Sequence, residues 1–265
     1  MIELKSEAEI DLMREAGLIV AAALAATRAA VGPGLTTRDL DDVAEKVIRD
    51  AGAIPSFKGY RGFPATLCTS INDEIVHGIP SPQRVLKVGD IVSIDCGAIV
   101  GGFHGDSAIT VGVGAVAQEL QQLMDVCEEA LWRGLAAARL GGRVSDIGAA
   151  VEAYVRPQGY GIVEEYVGHG IGTALHQPPN VPNFGKPGRG PKLERGLVLA
   201  VEPMVNLGTR FTRLLEDDWT VVTQDGLPSA HFEHTFTVTE DGPWVLTAED
   251  GGRERVSGLL AGAAS

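Results

Sequence analysis

Apolar residues recur at helical spacing over residues 7–30, Ile10, Met13, Leu18 and Leu24 among them. They predict a first helix that Gly32-Pro33-Gly34 ends. A second helix is expected over 37–51, with Thr36 as N-cap, Asp39 in the first turn and Gly52 at the stop. Residues 64–79 read as short strands and turns. The stretch IVSIDCGAIVGGFHGDSAITVGV (91–113) reads as a β-hairpin. A long helix follows over about 117–140 and stops at Gly141-Gly142; another covers about 145–156, with Ser145 as cap and Pro157 just past its end. The remainder reads as strand and loop, with a Pro/Gly-rich stretch at 177–191.

A repeat lies in this order. A shift of 107 residues, without a gap, sets Gly34 on Gly141, Asp39 on Asp146, Leu40 on Ile147, Glu45 on Glu152, Ile48 on Val155, Arg49 on Arg156 and Gly52 on Gly159. The same shift lays LKVGDIVSID (86–95) on LERGLVLAVE (193–202), so that Asp95 meets Glu202. Like elements can align by accident, but two stretches agree on one shift. The expectation is a duplicated helix–helix–sheet unit with one carboxylate from each half at a shared centre. With no linker between the halves, a single domain over 1–265 is expected, its halves covering approximately 1–113 and 114–247.

The acidic residues on the apolar strands carry the candidate chemistry. Asp95 and Asp106 are equidistant from a turn centred on Val100-Gly101. That register sets them directly opposite, with Cβ atoms about 4.5–5.5 Å apart; a different register would separate them. Carboxylates so placed repel unless one takes a proton or a cation lies between them. The run Ile-Val-Ser-Ile before Asp95 buries this part of the strand, and a buried like-charge pair fits a metal site better than a structural role. Glu202 ends a second apolar strand, LVLAVEP, where Pro203 removes an N–H. Glu233 lies in HFEHTFTVT, where alternation sets it with His231 and Thr235, opposite Phe232 and Phe236. Four carboxylates on such strands exceed what an ordinary core tolerates.

His169 lies in VGHGIG, whose glycines allow close backbone approach. A lone histidine in such a turn is usually structural. Its weight comes from company, because all six histidines (77, 104, 169, 176, 231 and 234) fall in or beside these segments. One imidazole among several carboxylates suits a pair of Mn, Fe, Co or Zn ions, not a thiolate zinc site.

Composition narrows the setting. The 265 residues suit one large domain or two small ones. A formal net charge of -13 speaks against a phosphate-binding surface, so no direct nucleic-acid contact is expected, and the acidity reads mainly as solubility. Cys68, Cys96 and Cys127 are odd in number and lack C-x-x-C spacing, as in the reduced thiols of a cytosolic protein. MIELKSEAEIDLMREAG is no signal peptide, and the Ala-rich stretch 16–31 is too short and interrupted to span a membrane. A cytoplasmic protein without membrane contact is expected.

The segments SINDEIVHGIP, VSIDCG, GFHGD, GHGIG, VEPM and FEHT, in this order and spacing, closely resemble the type I methionine aminopeptidases, over about Ser6 to Thr247. The short interval from His169 to Glu202 leaves no room for the helical insert of type II. The resemblance implies an α+β fold of the pita-bread (creatinase/aminopeptidase) kind: an internally duplicated antiparallel sheet with pseudo-two-fold symmetry, flanked by helices. It implies that Asp95, Asp106, His169, Glu202 and Glu233 hold two divalent ions (Co, Mn, Fe or Zn), with Glu233 bridging, and that a water activated there is the nucleophile. It further implies Glu202 as proton shuttle, His77 at the scissile amide and His176 at the carbonyl oxygen. Apart from the resemblance, both histidines read as hydrogen-bonded turn residues. Tyr60, Phe63, Cys68 and Trp219 are implied as the wall of a pocket for a linear thioether, although packing alone would also explain them. Asn72 and Ser229 match positions that hold a monovalent cation in some members.

Two positions depart from the pattern. Leu175 stands where many members carry an aromatic residue or Met, which alters the expected pocket shape. His231 stands where many carry Gln, which is expected to place a ligand-like imidazole near Glu233. The implied activity is removal of the initiator methionine from nascent peptide N-termini, at the ribosome among other places, when the next residue is small. The implied enzyme is a monomer. One rival is a proline-specific peptidase of the same fold, which usually carries an N-terminal domain; here the pattern begins near residue 1. The other is a catalytically inactive relative that binds proteins or RNA, against which the complete ligand set and the negative charge speak.

Overall fold

The computed structural model describes residues 2–262; Met1 and residues 263–265 of the expected domain lie outside this range. Helix α1 (Glu7–Ala30) starts at Ser6, whose N–H donates to the Glu9 carboxylate at 2.7 Å. Ile10, Met13 and Leu24 are buried, whereas Leu18 turns outward and is 39% exposed. Helix α2 (Thr37–Asp50) starts at Thr36 as expected, with the Thr36 N–H donating to Asp39 Oδ2 at 2.7 Å and the Asp39 N–H to Thr36 Oγ1 at 3.2 Å. Helix α3 (Gln118–Ala137) ends three residues before the expected 140, because the chain turns at 139–142 to let the Gly141 N–H reach the Leu193 carbonyl at 2.8 Å.

Helix α4 (Val144–Val155) corrects the expected cap. Ser145 lies inside the first turn, and its hydroxyl accepts from the Arg189 N–H at 2.7 Å. The start is held by Asp146, whose carboxylate accepts from the Arg143 N–H at 2.7 Å. Helix α5 (Arg253–Gly262) stands where strand and loop were expected. Its sequence is too short and mixed to announce a helix; packing of Val256, Leu259 and Leu260 on the α3 side of the core supplies what the local pattern lacks. No helix among the described residues is long and apolar enough to cross a membrane.

The largest sheet is antiparallel and has nine strands. Its central path runs from Ile54–Pro55 through the hairpin strands Ile91–Val100 and Phe103–Gly112 to Glu233–Thr239, Val198–Val201, Gly168–Gly170 and Gln177–Val181. Strand Leu67–Ile71 pairs with Ile91–Val100, and Gly242–Val245 with Glu233–Thr239. Helices α1 and α2 cover the first half, packing Val20, Leu24, Leu40 and Ile48 against Val92 and Ile94. Helices α3 and α4 cover the second half, packing Leu123, Leu131, Ile147 and Val151 against Leu199, Val201 and Phe236.

The 107-residue shift is visible in the backbone. Thr36 bridges Val85 and Arg143 bridges Lys192, positions related by that shift at both ends. The Gly34 N–H donates to Leu86 and the Gly141 N–H to Leu193, again one shift apart. Strands Ile54–Pro55 and Gly161–Ile162, and the starts of Ile91–Val100 and Val198–Val201, obey the same relation.

The expected hairpin register is wrong by one residue at the turn. The turn is Gly101-Gly102, both with left-handed φ (57° and 86°), which is the requirement of a two-residue hairpin loop. Val100 therefore pairs with Phe103, Asp106 with Gly97 and Asp95 with Ala108. Asp95 and Asp106 are diagonal neighbours on one face, not directly opposite.

Candidate metal centre

Two adjacent rows of side chains across the sheet build the site. In one, Cys68 pairs with Asp95, Asp95 with Ala108, and Ala108 with Glu233. In the other, Gly97 pairs with Asp106, and Ala200 lies between Thr235 and His169. The two parts of this second row are joined where the Asp106 N–H donates to Thr235 Oγ1 at 3.1 Å and the Thr235 hydroxyl donates to the Asp106 carbonyl at 2.8 Å. Residues two apart on a strand share a face, so all the acidic groups project the same way. Glu202 follows Val201, which pairs with His234; one further step of that register brings it beside Glu233. The five expected ligands thus converge, two from the first half and three from the second.

The electrostatics show what the cluster lacks. Burial, and then the neighbouring Asp95 and Glu202 charges, hold the Asp106 carboxyl well above the usual carboxylate range. Burial raises Asp95 and pushes Glu202 up to about 8. Burial and then the Asp106 charge raise Glu233. The His169 imidazole is pushed down to about 3, chiefly by burial. Its Nδ1 lies 2.9 Å from the Gly170 carbonyl, which can only accept, so Nδ1 carries the proton and Nε2 presents a bare lone pair. That Nε2 lies 3.5 Å from Glu202 Oε1 and 4.0 Å from Asp106 Oδ2.

Four buried polar atoms here have no hydrogen-bond partner: Asp95 Oδ1, Asp106 Oδ1, His231 Nε2 and Glu233 Oε1. Orphans of this kind are costly in an ordinary core. Donor atoms of Asp106, His169 and Glu233 lie within 4.8 Å of one another, as do those of Glu202, His231 and Glu233. Carboxylate oxygens and imidazole nitrogens form a donor set for borderline divalent ions. The residues present fit a metal, and Glu233 belongs to both groups.

The cluster forms the floor of a cavity of about 320 Å³. Its walls include every other residue expected at the site: Tyr60, Phe63, Cys68, His77, His176 and Trp219. The Tyr60 hydroxyl is 2.8 Å from His176 Nδ1, and the His169 and His176 rings are 4.3 Å apart. Phe63 meets Trp219 edge-on at 5.0 Å. His77 adopts a left-handed φ of 62°, and burial pushes its imidazole down to about 4, so it is neutral at pH 7. Burial raises the Cys68 thiol, which stays protonated against the carboxylates. Leu175 is buried and lines the cavity.

His104 and His234 turn away to partners of their own, Ser56 Oγ at 2.9 Å and Thr247 Oγ1 at 2.8 Å. Asn72 and Ser229 meet through their backbones, the Ser229 N–H donating to the Asn72 carbonyl at 2.9 Å. Two cavity residues were not foreseen, Phe57 and Arg61. Arg61 lies inside the YRGFP segment with φ of 49°; the glycines on either side of Tyr60-Arg61 were its one sequence signal.

A profile of metallopeptidase family M24 matches residues 11–240. The chain belongs to that family. The methionine aminopeptidase of Clostridium acetobutylicum is 51% identical over 247 residues, covering 93% of this chain and 99% of the relative. Methionine aminopeptidase 1 of Mycobacterium tuberculosis is 52% identical over 249 residues, covering 92% and 94%. The crystal structure of the methionine aminopeptidase of Thermotoga maritima superposes with a TM-score of 0.92 at 40% identity, covering 94% of this chain and all of that one. An Xaa-Pro dipeptidase from Bacillus anthracis reaches 0.73 at 25% identity, and the match spans 62% of its length. The enzyme is a metal-dependent hydrolase with the pita-bread fold, and its candidate ligands suit divalent ions.

Proposed function

We propose that the enzyme removes methionine from the N-termini of nascent peptides whose second residue is small. The observation that carries this reading is one cavity whose floor is the ligand cluster and whose wall is Phe63, Cys68 and Trp219, apolar and sulfur-bearing groups suited to a linear thioether. In this reading Asp95, Asp106, His169, Glu202 and Glu233 hold two divalent ions, Co, Mn, Fe or Zn. Bound metal lowers the pKa of water towards neutrality and polarises the scissile carbonyl. Glu202, raised by burial and close to His169, carries the proton from the attacking water towards the leaving amine. Tyr60 donates to His176 Nδ1, leaving the Nε2–H of His176 for the carbonyl oxygen. His77, neutral and opposite Trp219 at 6.3 Å, contacts the scissile amide. The same reading takes the chain as a single cytoplasmic catalytic domain, active as a monomer, with halves near 1–113 and 114–247, and Asn72 with Ser229 as a monovalent cation site.

The test is methionine release from Met-Ala-Ser against cleavage of an X-Pro dipeptide, each with Mn, Co or Fe added. Release from Met-Ala-Ser, with loss when alanine is replaced by leucine, is the expected result. Preference for X-Pro would establish the proline-specific reading instead. Inactivity on both substrates would support a binding protein.

A further inference from the structure

His231, whose imidazole is expected near Glu233, is delivered to the metal cluster from a fixed backbone. The Thr110 hydroxyl accepts from the His231 N–H at 2.9 Å and donates to its carbonyl at 2.8 Å. Strand Ser229–His231 is also paired along its length with Met204–Asn206. The residue is 1% exposed, and its Nε2 has no hydrogen-bond partner. That atom lies 3.6 Å from Glu202 Oε2, while Glu202 Oε1 lies 3.5 Å from His169 Nε2. Glu202 therefore stands between two imidazoles, one to each oxygen. A 3.6 Å separation is too long for a hydrogen bond. It fits two donors on one ion, since bonds of about 2.0–2.2 Å place neighbouring donors roughly 3–4 Å apart. Glu202, His231 and Glu233 bring donor atoms within 4.8 Å of one another, forming a second group beside Asp106, His169 and Glu233.

We propose that His231 is a further protein ligand of the metal centre, so that each of its two ions receives an imidazole. The inference rests on the reading of the other five residues as ligands. A neutral nitrogen donor in place of an amide makes the second position bind late first-row divalent ions such as Co and Zn more tightly, and Mn less so.

Cobalt is the probe. The metal-free protein is titrated with Co(II) by calorimetry, and the loaded protein is examined by X-ray absorption at the cobalt edge. Wild type, His231→Gln and His231→Ala are compared, with circular dichroism of each metal-free form as the folding check. Wild type is expected to show two imidazoles per two cobalt ions, and His231→Gln one. The substitution is expected to weaken the second equivalent by roughly tenfold to a hundredfold. One imidazole in both proteins with unchanged affinities would overturn the proposal. Should His231→Ala misfold, the near-isosteric Gln variant decides alone. Because these readouts count ligands and not peptide cleavage, a failure to release methionine would count against the proposed activity and leave the ligand count standing.

Discussion

Thr36 clasps Val85 in the first half, and 107 residues later Arg143 clasps Lys192, but the strands that these clasps feed end differently. Strand Ile91–Val100 runs five residues past Asp95 into the Gly-Gly hairpin, which fixes Asp95 in the ladder between Cys68 and Ala108. Its counterpart stops at Val201, and Glu202 emerges before Pro203 with no ladder partner of its own. The short carboxylate is thus held rigidly, with Asp106 diagonal to it. The longer one reaches a point between His169 and His231. Duplication supplies the scaffold; the departures from it supply the chemistry. The first half contributes only carboxylates to the floor, and the imidazoles come from the second.

The sharpest way to break this comparison is Asp106→Ala, which removes the first-half carboxylate nearest His169. Methionine release is expected to fall by more than about a thousandfold, or about 4 kcal/mol of barrier, with unchanged circular dichroism. Retained activity would mean that the halves do not share one centre.

Metal removal tests the equivalent pair Asp95 and Glu202 together. Burial raises both carboxyls in the folded state, Glu202 to about 8. Above pH of about 4 the unfolded chain loses these protons while the folded, metal-free site keeps them. The folded state then binds more protons, so its stability falls as pH rises, until Glu202 itself titrates near 8. The melting temperature in EDTA is expected to drop from pH 5 to pH 8, and added Mn to restore it most at the upper end. Asp95→Asn or Glu202→Gln should each flatten the EDTA profile; steep profiles in both would show that other groups carry the slope.

A smaller effect separates the halves away from the site. Asp41 in α2 and Gly148 in α4 are one shift apart. Asp41 Oδ1 accepts from the Thr66 and Leu67 N–H groups at 2.9 and 2.7 Å. Gly148 instead lets the helix meet backbone directly, where a Cβ would strike the Pro182 carbonyl and lie 2.8 Å from the Phe184 nitrogen. Asp41→Ala should cost about 2–3 kcal/mol through two unpaired buried donors, and Gly148→Ala about 2 kcal/mol through overpacking. In urea unfolding, Asp41→Asn should recover most of the loss, since its side-chain oxygen still accepts; no difference between Asp41→Ala and Asp41→Asn would refute its role as acceptor for Thr66 and Leu67.

Much of this was legible in the chain. Helical periodicity marked α1 and α2, and the start of α2 was legible because Thr36 and Asp39 act within one turn of themselves; the Ser6 cap of α1 emerged only in the structure. The α4 start was misread because Ser145 answers Arg189, 44 residues away, a partner that local pattern cannot reveal. The hairpin register was misread for a local reason: the Gly101-Gly102 pair was available as the loop, and its left-handed φ values decide the count. Helix α5 depends on packing against α3, and no propensity announces it.

By itself the sequence determined helices α1 to α4 and the central hairpin in outline, the duplication and the acidic residues that an apolar strand cannot bury without cause, because periodicity and charge act along the chain. Tertiary structure decided that Glu202 lies between two imidazoles, that Asp106 stands diagonal to Asp95, and that Arg61 joins the cavity. Those relations join strands far apart in sequence, and they are set by sheet register and close packing, which only the folded chain fixes.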